Sequence, residues 1–515
     1  MLDSARRATE QAPNSGTAWR NLGLALQEDG EFSEAFDAYG RALALDPHDH
    51  QVALALAICA GQLGLRDEAY ALASHYVRAQ PADRIGQITL VNTLLGLDRV
   101  VEAHDRAVAA LSSSPEDGGL WQLAGKTARA SGGLKEAVQA FSQAHALDPI
   151  NPRIVYDLAW TLADLGDLDS SLELTNQALG LSPDSETRAA LSFLKATVLL
   201  ADGKLVEGWA AYAARHDLAL SSAAIYKLDL PRWDGVTLLE GRRLLLMAEQ
   251  GLGDEIAFMG MMPDILGQVG QSGHITLCAD KRLKGLIERS WPSVTAIGHK
   301  TQQIMGRRHR WTDGPVDADL WAPLGDLLPM LRSDISAFNQ PKGFLKPCPQ
   351  RLAQWKAWLA SLPGDSKIGM AWRSHKMSDE RGRNFAALSA WGPILSRPRT
   401  SFVSLQYGDT ASERAELLER FGVVVHQPPE LDLFNDLEGL AALSAGLDLG
   451  IGGSNASTNL LGAVGTPLHL IAPPAPWPAL GQSAYPWYPG AQIHAAPSYG
   501  DWDSAMREAA KAISA

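Results

Sequence analysis

Prolines stand at Pro13, Pro47, Pro81, Pro115, Pro149 and Pro183, each 34 residues after the last. Other positions keep the same beat. Trp19, Leu22 and Gly23 open one unit, and Ala35, Tyr39 and Ala42 follow before Pro47. The unit ending at Pro149 carries Trp121, Gly125, Ala137, Phe141 and Ala144 in the same slots, and Ala69 and Ala103 hold the small-residue slot between. These residue types describe a pair of antiparallel helices. Alanines let the helices approach, Trp, Leu, Tyr and Phe fill the seam, and proline ends the second helix because it has no amide to donate to another turn. One such pair cannot bury its own apolar face, so the units must stack.

A 34-residue interval is the tetratricopeptide period. The expected fold for residues 1–218 is an α-helical tetratricopeptide solenoid with a concave groove. Pro13 has no first helix before it, so the chain reads as starting inside a repeat. After Pro183 the beat weakens. Residues 189–201 and 208–218 still read as helical, the latter through an apolar Trp209–Tyr212 stripe that closes the arm. Residues 230–235 read as a turn-rich linker.

From residue 238 the pattern changes to strands alternating with helices, which implies parallel sheets covered on both faces. Strands are expected at 243–248, 274–279 and 295–297, then at 367–372, 401–406, 423–426, 447–451 and 467–471, with a Pro-rich break at 341–349. The division is an N-terminal Rossmann-like domain at 219–346 and a C-terminal one at 347–515. Ligands of such sheets bind at the carboxyl ends of the strands. Two stretches fit that place. Glu249-Gln250-Gly251-Leu252-Gly253-Asp254 follows the first strand. Gly453-Ser454-Asn455-Ala456-Ser457-Thr458 opens a helix after residue 451, where free amides and hydroxyls attract phosphate; an ordinary polar helix cap looks the same.

Composition narrows the function classes. A net charge of -13 disfavours a broad nucleic-acid surface. Cys59, Cys278 and Cys348 lie far apart, without metal spacing, and read as reduced thiols of a cytoplasmic protein. The first ten residues lack the apolar core of a secretory signal, and no apolar run reaches the length of a membrane span. The 13 histidines are scattered, so no metal site is expected. No nucleophile-elbow sequence supports a serine hydrolase.

In their order, Glu249-Gln250-Gly251-Leu252-Gly253-Asp254, Ala371-Trp372-Arg373, Leu405-Gln406 and Gly453-Ser454-Asn455 with Gly465-Thr466-Pro467 resemble bacterial tetratricopeptide glycosyltransferases. So do Tyr485-Pro486-Trp487-Tyr488-Pro489 and Asp501-Trp502. The catalytic half of that group is an α/β GT-B fold of two Rossmann-like domains. It is similar to lipopolysaccharide heptosyltransferases and, more distantly, to the O-GlcNAc transferase. The resemblance implies inverting, metal-independent transfer from a nucleotide sugar to Ser or Thr hydroxyls of a protein held by the arm, with no bound cofactor. Asp254 matches the Gly-Asp turn that carries the base, with Glu249 in reserve; a helix-start aspartate also serves as a cap. Gly251 and Gly253 let a ligand approach the backbone. Arg373, beside Trp372 and Ser374, is the phosphate candidate, or else a surface ion pair. Lys376, Arg381 and Arg383 form a loop that closes over an anionic donor or is simply solvated. Gln406 would bond the nucleotide, and Gly453, Ser454, Asn455, Ser457 and Thr458 would hold its phosphate.

This chain has Ser454-Asn455-Ala456-Ser457 where the O-GlcNAc transferase places a histidine and heptosyltransferases often have Asp-Thr. The favoured donor is therefore a CMP-nonulosonic acid, pseudaminic or legionaminic, with flagellin as acceptor and a UDP-sugar as the alternative. Two rival readings remain open: a UDP- or ADP-sugar transferase acting on lipopolysaccharide or another glycan, and a tetratricopeptide scaffold with a degenerate transferase half. A homodimer is compatible with either.

Overall fold

The computed structural model describes residues 1–249, 251–304, 307–374, 382 and 384–514. Among these, helix Leu2–Gln11 is followed by twelve helices down to Leu205–Tyr212, of which Gly16–Glu28 packs with Phe32–Leu45, His50–Gln62 with Arg66–Ala79, Arg84–Gly96 with Val100–Ser113, Gly118–Ala130 with Leu134–Leu147, and Ser185–Ala201 with Leu205–Tyr212. Their ends follow from the sequence. Two residues after each of Pro13, Pro47, Pro81 and Pro115 stands a cap, Ser15, Asp49, Asp83 or Asp117, whose side chain accepts a first-turn amide. The indoles of Trp19 and Trp121 donate back to the carbonyls of Pro13 and Pro115 at 2.8 and 2.7 Å. Gly23 and Gly125 are needed for contact rather than for turning: a β-carbon there would stand 2.7 Å from the Tyr39 ring and 2.6 Å from the Phe141 ring. Ala35, Ala69, Ala103 and Ala137 are fully buried in the seams.

The periodic region and the compact unit do not coincide. Met1–Thr161 forms one unit, and from Leu162 the chain belongs to a second. Helices Leu168–Gly180, Ser185–Ala201 and Leu205–Tyr212 therefore belong to the same compact unit as the α/β half. The reason is the apolar stripe. Leu200, Leu205, Trp209 and Tyr212 share one core with Leu244, Leu246, Leu470 and Trp487, and the Trp209 indole donates to the Arg332 carbonyl at 2.7 Å.

Among the described residues the α/β half holds two six-stranded sheets. The first contains β1 (Ala224–Tyr226), β2 (Arg243–Met247), β3 (His274–Ala279), β4 (Val294–Ile304), β5 (Arg307–Thr312) and β6 (Leu320–Pro323), in the order β1-β5-β4-β3-β2-β6. It is mixed, because β4 and β5 pair antiparallel while the other pairs are parallel. Three of its strands, β1, β5 and β6, lie outside the sequence expectation, and residues 230–235 are not a free linker. Trp233 is buried, and its amide donates to the Trp321 carbonyl at 2.8 Å.

The second sheet contains β7 (Ser366–Ala371), β8 (Thr400–Ser404), β9 (Val425–His426), β10 (Leu449–Gly452), β11 (Leu468–Ala472) and β12 (Gln492–Ala495). Its order is β12-β11-β10-β7-β8-β9, parallel throughout. Two runs of strands diverge from its centre, the doubly wound arrangement whose reversal point opens a crevice at the strand ends. The reversal lies between β7 and β10. In the first sheet the corresponding reversal lies between β2 and β6.

Among the described residues no helix is long and apolar enough to cross a membrane.

Candidate functional site

β2 runs through Ala248 and Glu249 towards helix Leu252–Phe258, which brings three carboxylates, Glu249, Asp254 and Glu255, to the reversal point of the first sheet. Two of them are neutralised. Glu249 is buried; it accepts from Arg215 Nε at 3.0 Å and Nη2 at 2.8 Å, and from the Gly325 amide at 2.7 Å. Glu255, also buried, accepts from the Asp280 amide at 2.9 Å, faces His299 Nε2 at 3.0 Å and has Arg310 at 3.7 Å. Asp254 has no ion-pair partner among the described residues. Its Oδ2 accepts from the Gly251 amide at 3.2 Å. Burial pushes its carboxyl from 3.8 up to about 6; the Gly251 amide works against that shift and the charges of Glu249 and Glu255 add to it.

Glu249 is thus not a reserve base. Both its oxygens are committed to a buried network that runs on through Asp326, which accepts from Arg215 at 2.6 Å and Arg232 at 2.6 Å and faces His216 at 2.8 Å. Burial opposes the charge of Asp326, yet the His216 bond and the Arg215 guanidinium hold its carboxyl well below the usual range. His216, Glu249 and Asp326 lie close enough to share a metal ion. The Arg215 guanidinium bonds both carboxylates and Arg232 bonds Asp326, so the trio is tied into an ion-pair cluster.

The second sheet supplies the facing corner. β7 and β10 approach so closely that a β-carbon on Gly452 would stand 2.1 Å from the Ala371 carbonyl oxygen, and one on Gly453 2.6 Å from the Phe385 ring. Asn455 caps helix Ala456–Ala463: its Oδ1 accepts the Thr458 amide at 3.1 Å, and its own amide donates to Thr458 Oγ1 at 2.9 Å. The next amides, of Ala456 and Ser457, have no intrahelical acceptor. Ser454 is exposed at this corner.

The two corners touch. A β-carbon on Gly253 would stand 3.0 Å from Asn459 Nδ2 and 3.9 Å from the Ala456 amide, so helix Leu252–Phe258 meets the start of helix Ala456–Ala463 without a side chain between them. Gly251 has φ -113, an extended conformation open to any residue. The glycines at this turn therefore serve approach rather than sharp turning, as Gly253 shows.

Several residues expected to bind the donor have other work. The Arg373 guanidinium pairs with Glu413, Nε to Oε1 at 2.6 Å and Nη2 to Oε2 at 2.9 Å. The Trp372 indole donates to the same carboxylate at 3.0 Å, and the ring is buried. Gln406 is buried too; its Oε1 accepts the amides of Trp372 and Arg373 at 3.0 and 2.9 Å and so holds the end of β7. Ser457 donates its hydroxyl to the Leu405 carbonyl at 2.9 Å, and Thr458 donates to that of Gly453 at 2.9 Å. Both hydroxyls are spent on the fold. Ser374 adjoins the end of β7 and is half-buried. Lys376, Arg381 and Arg383 lie outside the described residues. What remains at the cleft is Asp254, Gly251 and Gly253 on one side and Gly453, Ser454 and Asn455 on the other. Sequence reasoning missed Tyr485 and Tyr488, buried phenols whose ionisation is pushed up by burial and further by the charge of Asp254.

Tetratricopeptide repeat models match residues 16–49 and 128–194, in agreement with the helical pairs, so the chain is a tetratricopeptide protein whose arm precedes two α/β sheets. Protein FlbA of Caulobacter vibrioides is 37% identical over 512 residues, covering 99% of this chain and 86% of that protein. The chain belongs to the FlbA family. It is also similar to the peroxisomal targeting signal receptor of Eremothecium gossypii, at 24% identity over 207 residues, 34% of this chain and 36% of that one. Among solved structures, a thermophilic tetratricopeptide protein of Thermus thermophilus is 24% identical, covers 35% of this chain and 98% of its own, and gives a TM-score of 0.33. A tetratricopeptide protein of Parabacteroides merdae is 15% identical, covers 42% and 85%, and gives 0.38.

Proposed function

We propose that this chain is an inverting glycosyltransferase of GT-B type that moves a sugar from a nucleotide donor to a Ser or Thr hydroxyl of a protein acceptor. One observation carries the reading. Of three carboxylates gathered at the end of β2, only Asp254 lacks a cation among the described residues, and its neighbour Gly253 stands against the start of helix Ala456–Ala463 at the reversal point of the second sheet. In the reaction the Asp254 carboxylate takes the acceptor hydroxyl's proton. The acceptor oxygen bonds to the anomeric carbon as the nucleotide phosphate departs with the bonding pair, and the Ala456 and Ser457 amides meet its charge. A base with a pKa of about 6 is ionised at neutral pH and still basic.

The arm's part is to hold the acceptor. A tethered acceptor reaches the cleft at high local concentration without new contacts there. Flagellin with CMP-pseudaminic or CMP-legionaminic acid is the first pair to try. The rival scaffold reading draws on the commitment of Arg373 to Glu413, which leaves no guanidinium at the phosphate corner among the described residues.

The test uses thermal shift with CMP, UDP and ADP, followed by transfer assays with the matching sugars. One nucleotide raises the melting temperature of the wild type and of Asp254→Asn alike, while that variant loses at least about 100-fold in transfer. Transfer by the wild type falls roughly tenfold per pH unit below about 6. A chain stabilised by no nucleotide is a scaffold.

A further inference from the structure

One slot of the 34-residue register holds Trp19, Ala53, Gln87, Trp121 and Val155 in turn, in the first turn of the first helix of each pair. Ala53 and Val155 are buried there, with no side-chain donor. Gln87 keeps the hydrogen bond of the two tryptophans and drops the ring. Its Nε2 donates to the Pro81 carbonyl, six positions back, at 2.7 Å, as the indoles of Trp19 and Trp121 donate to Pro13 and Pro115. An amide is far smaller than an indole, and beside Gln87 lies a cavity of about 280 Å³. Cavities that take whole small-molecule ligands run from about 300 to 1,000 Å³, so this one suits a single large side chain. Its walls come mainly from the second helices of two successive pairs, Arg66–Ala79 and Val100–Ser113. Val77 and Leu90, both buried, supply the apolar lining together with the half-buried ring of Tyr70.

The charge around the cavity is one-sided. Arg78 and Arg106 line it, are exposed, and have no ion-pair partner among the described residues. Glu102 lines it as well, but Arg99 pairs with that carboxylate and lays its guanidinium 4.5 Å from the centroid of the Tyr70 ring. Two uncommitted cations thus border an apolar hole on a chain whose net charge is -13. We propose that this cavity is a docking pocket for a tryptophan side chain of a partner protein, flanked by carboxylates in the partner's own chain. The ring takes the place of the indole that Gln87 lacks, against Tyr70, Val77 and Leu90. Gln87 Oε1 carries no bond among the described residues and can accept the incoming indole N–H. The flanking carboxylates meet Arg78 and Arg106, whose planar guanidiniums bind such groups through two hydrogen bonds. The same charges repel a basic segment, so the pocket discriminates between partners as well as holding one. It lies wholly within Met1–Thr161 and needs no transferase chemistry, so it goes beyond the reading above.

The probe is a dye-labelled tripeptide with blocked ends, tryptophan between two aspartates, titrated into the full chain without nucleotide and followed by fluorescence polarisation. Two controls carry tryptophan between lysines and alanine between aspartates. The probe binds at least about tenfold more tightly than either control, as an aromatic anchor with paired charges should. Gln87→Trp puts the missing ring back, raises the melting temperature of the arm by filling the cavity, and abolishes the preference for the probe. Arg78→Ala combined with Arg106→Ala leaves melting unchanged, because both side chains are exposed, and abolishes the preference for aspartate over lysine alone. That double variant decides the matter if Gln87→Trp does not fold. Equal binding of the three peptides overturns the proposal. So does a preference for the probe that survives Gln87→Trp in a folded chain, or a preference for aspartate over lysine that survives the loss of both arginines. No nucleotide enters the measurement, so the transferase reading stands or falls by its own test.

Discussion

In the repeat arm, residues that hold each other are close in sequence. Trp121 reaches back six positions to Pro115, and the Gln122 amide spans 35 positions to Asp157 at 2.7 Å, about one repeat. The α/β half works at another range. The Trp209 indole bonds a carbonyl 123 positions on, and the Gln340 amide bonds the Pro486 carbonyl across 146. An arm built from neighbours loses stability one interface at a time. A half closed by distant partners has cores assembled from far along the chain, and damage in one is shared by every element that lines it. The difference also separates their polar groups. Arm ion pairs such as Arg6–Glu34 are exposed, where they contribute little. The Arg215–Glu249 pair is buried, where losing one partner strands a charge.

That contrast can be broken by substitution. The largest effect belongs to Arg215→Met, which leaves Glu249 and Asp326 without their shared guanidinium and costs about 3–5 kcal/mol; hydrogen exchange would show loss of protection throughout 162–514 and none in 1–161. Next come two glycines with crowded surroundings, backbone around Gly452 and the Phe141 ring beside Gly125. Gly452→Ala and Gly125→Ala each force a β-carbon into occupied space and cost about 1–3 kcal/mol. The first lowers the unfolding transition of the whole α/β half, while the second loosens only the repeats flanking Phe141. Equal spread of exchange from both would refute the modular view of the arm. The smallest is Asp83→Ala, which removes a cap on one arm helix and costs about 1 kcal/mol, read as a small shift of the arm's transition alone.

The same difference in range decides what was legible in the sequence. The arm could be read because its spacing, its caps and its glycine contacts repeat within 34 residues. The second sheet showed five of its strands as apolar runs. β12 escaped, because Gln492–Ala495 is short and carries His494 among its four residues. β5 escaped because Arg307–Thr312 reads as a charged stretch, and its strand character comes from lying between β4 and β1. At the site, the turn ending in Asp254 and the helix start at Ser454 were visible as motifs. Their neighbours were not. Nothing near Arg373 announces that Glu413, 40 positions on, will claim it. Nor does the Asp254 turn reveal Tyr485 and Tyr488, buried phenols from the far end of the chain whose ionisation its charge opposes.

The seam at Thr161 bears on how such a chain can be recombined. A graft made where the 34-residue rhythm fades would carry Leu205, Trp209 and Tyr212 away with the donor scaffold and strip the acceptor of part of its own interior. Exchange upstream of Leu162 leaves that interior whole. Exchanges of repeats within this family should accordingly trade whole hairpins from the front and keep the last ones as fixtures of the chassis.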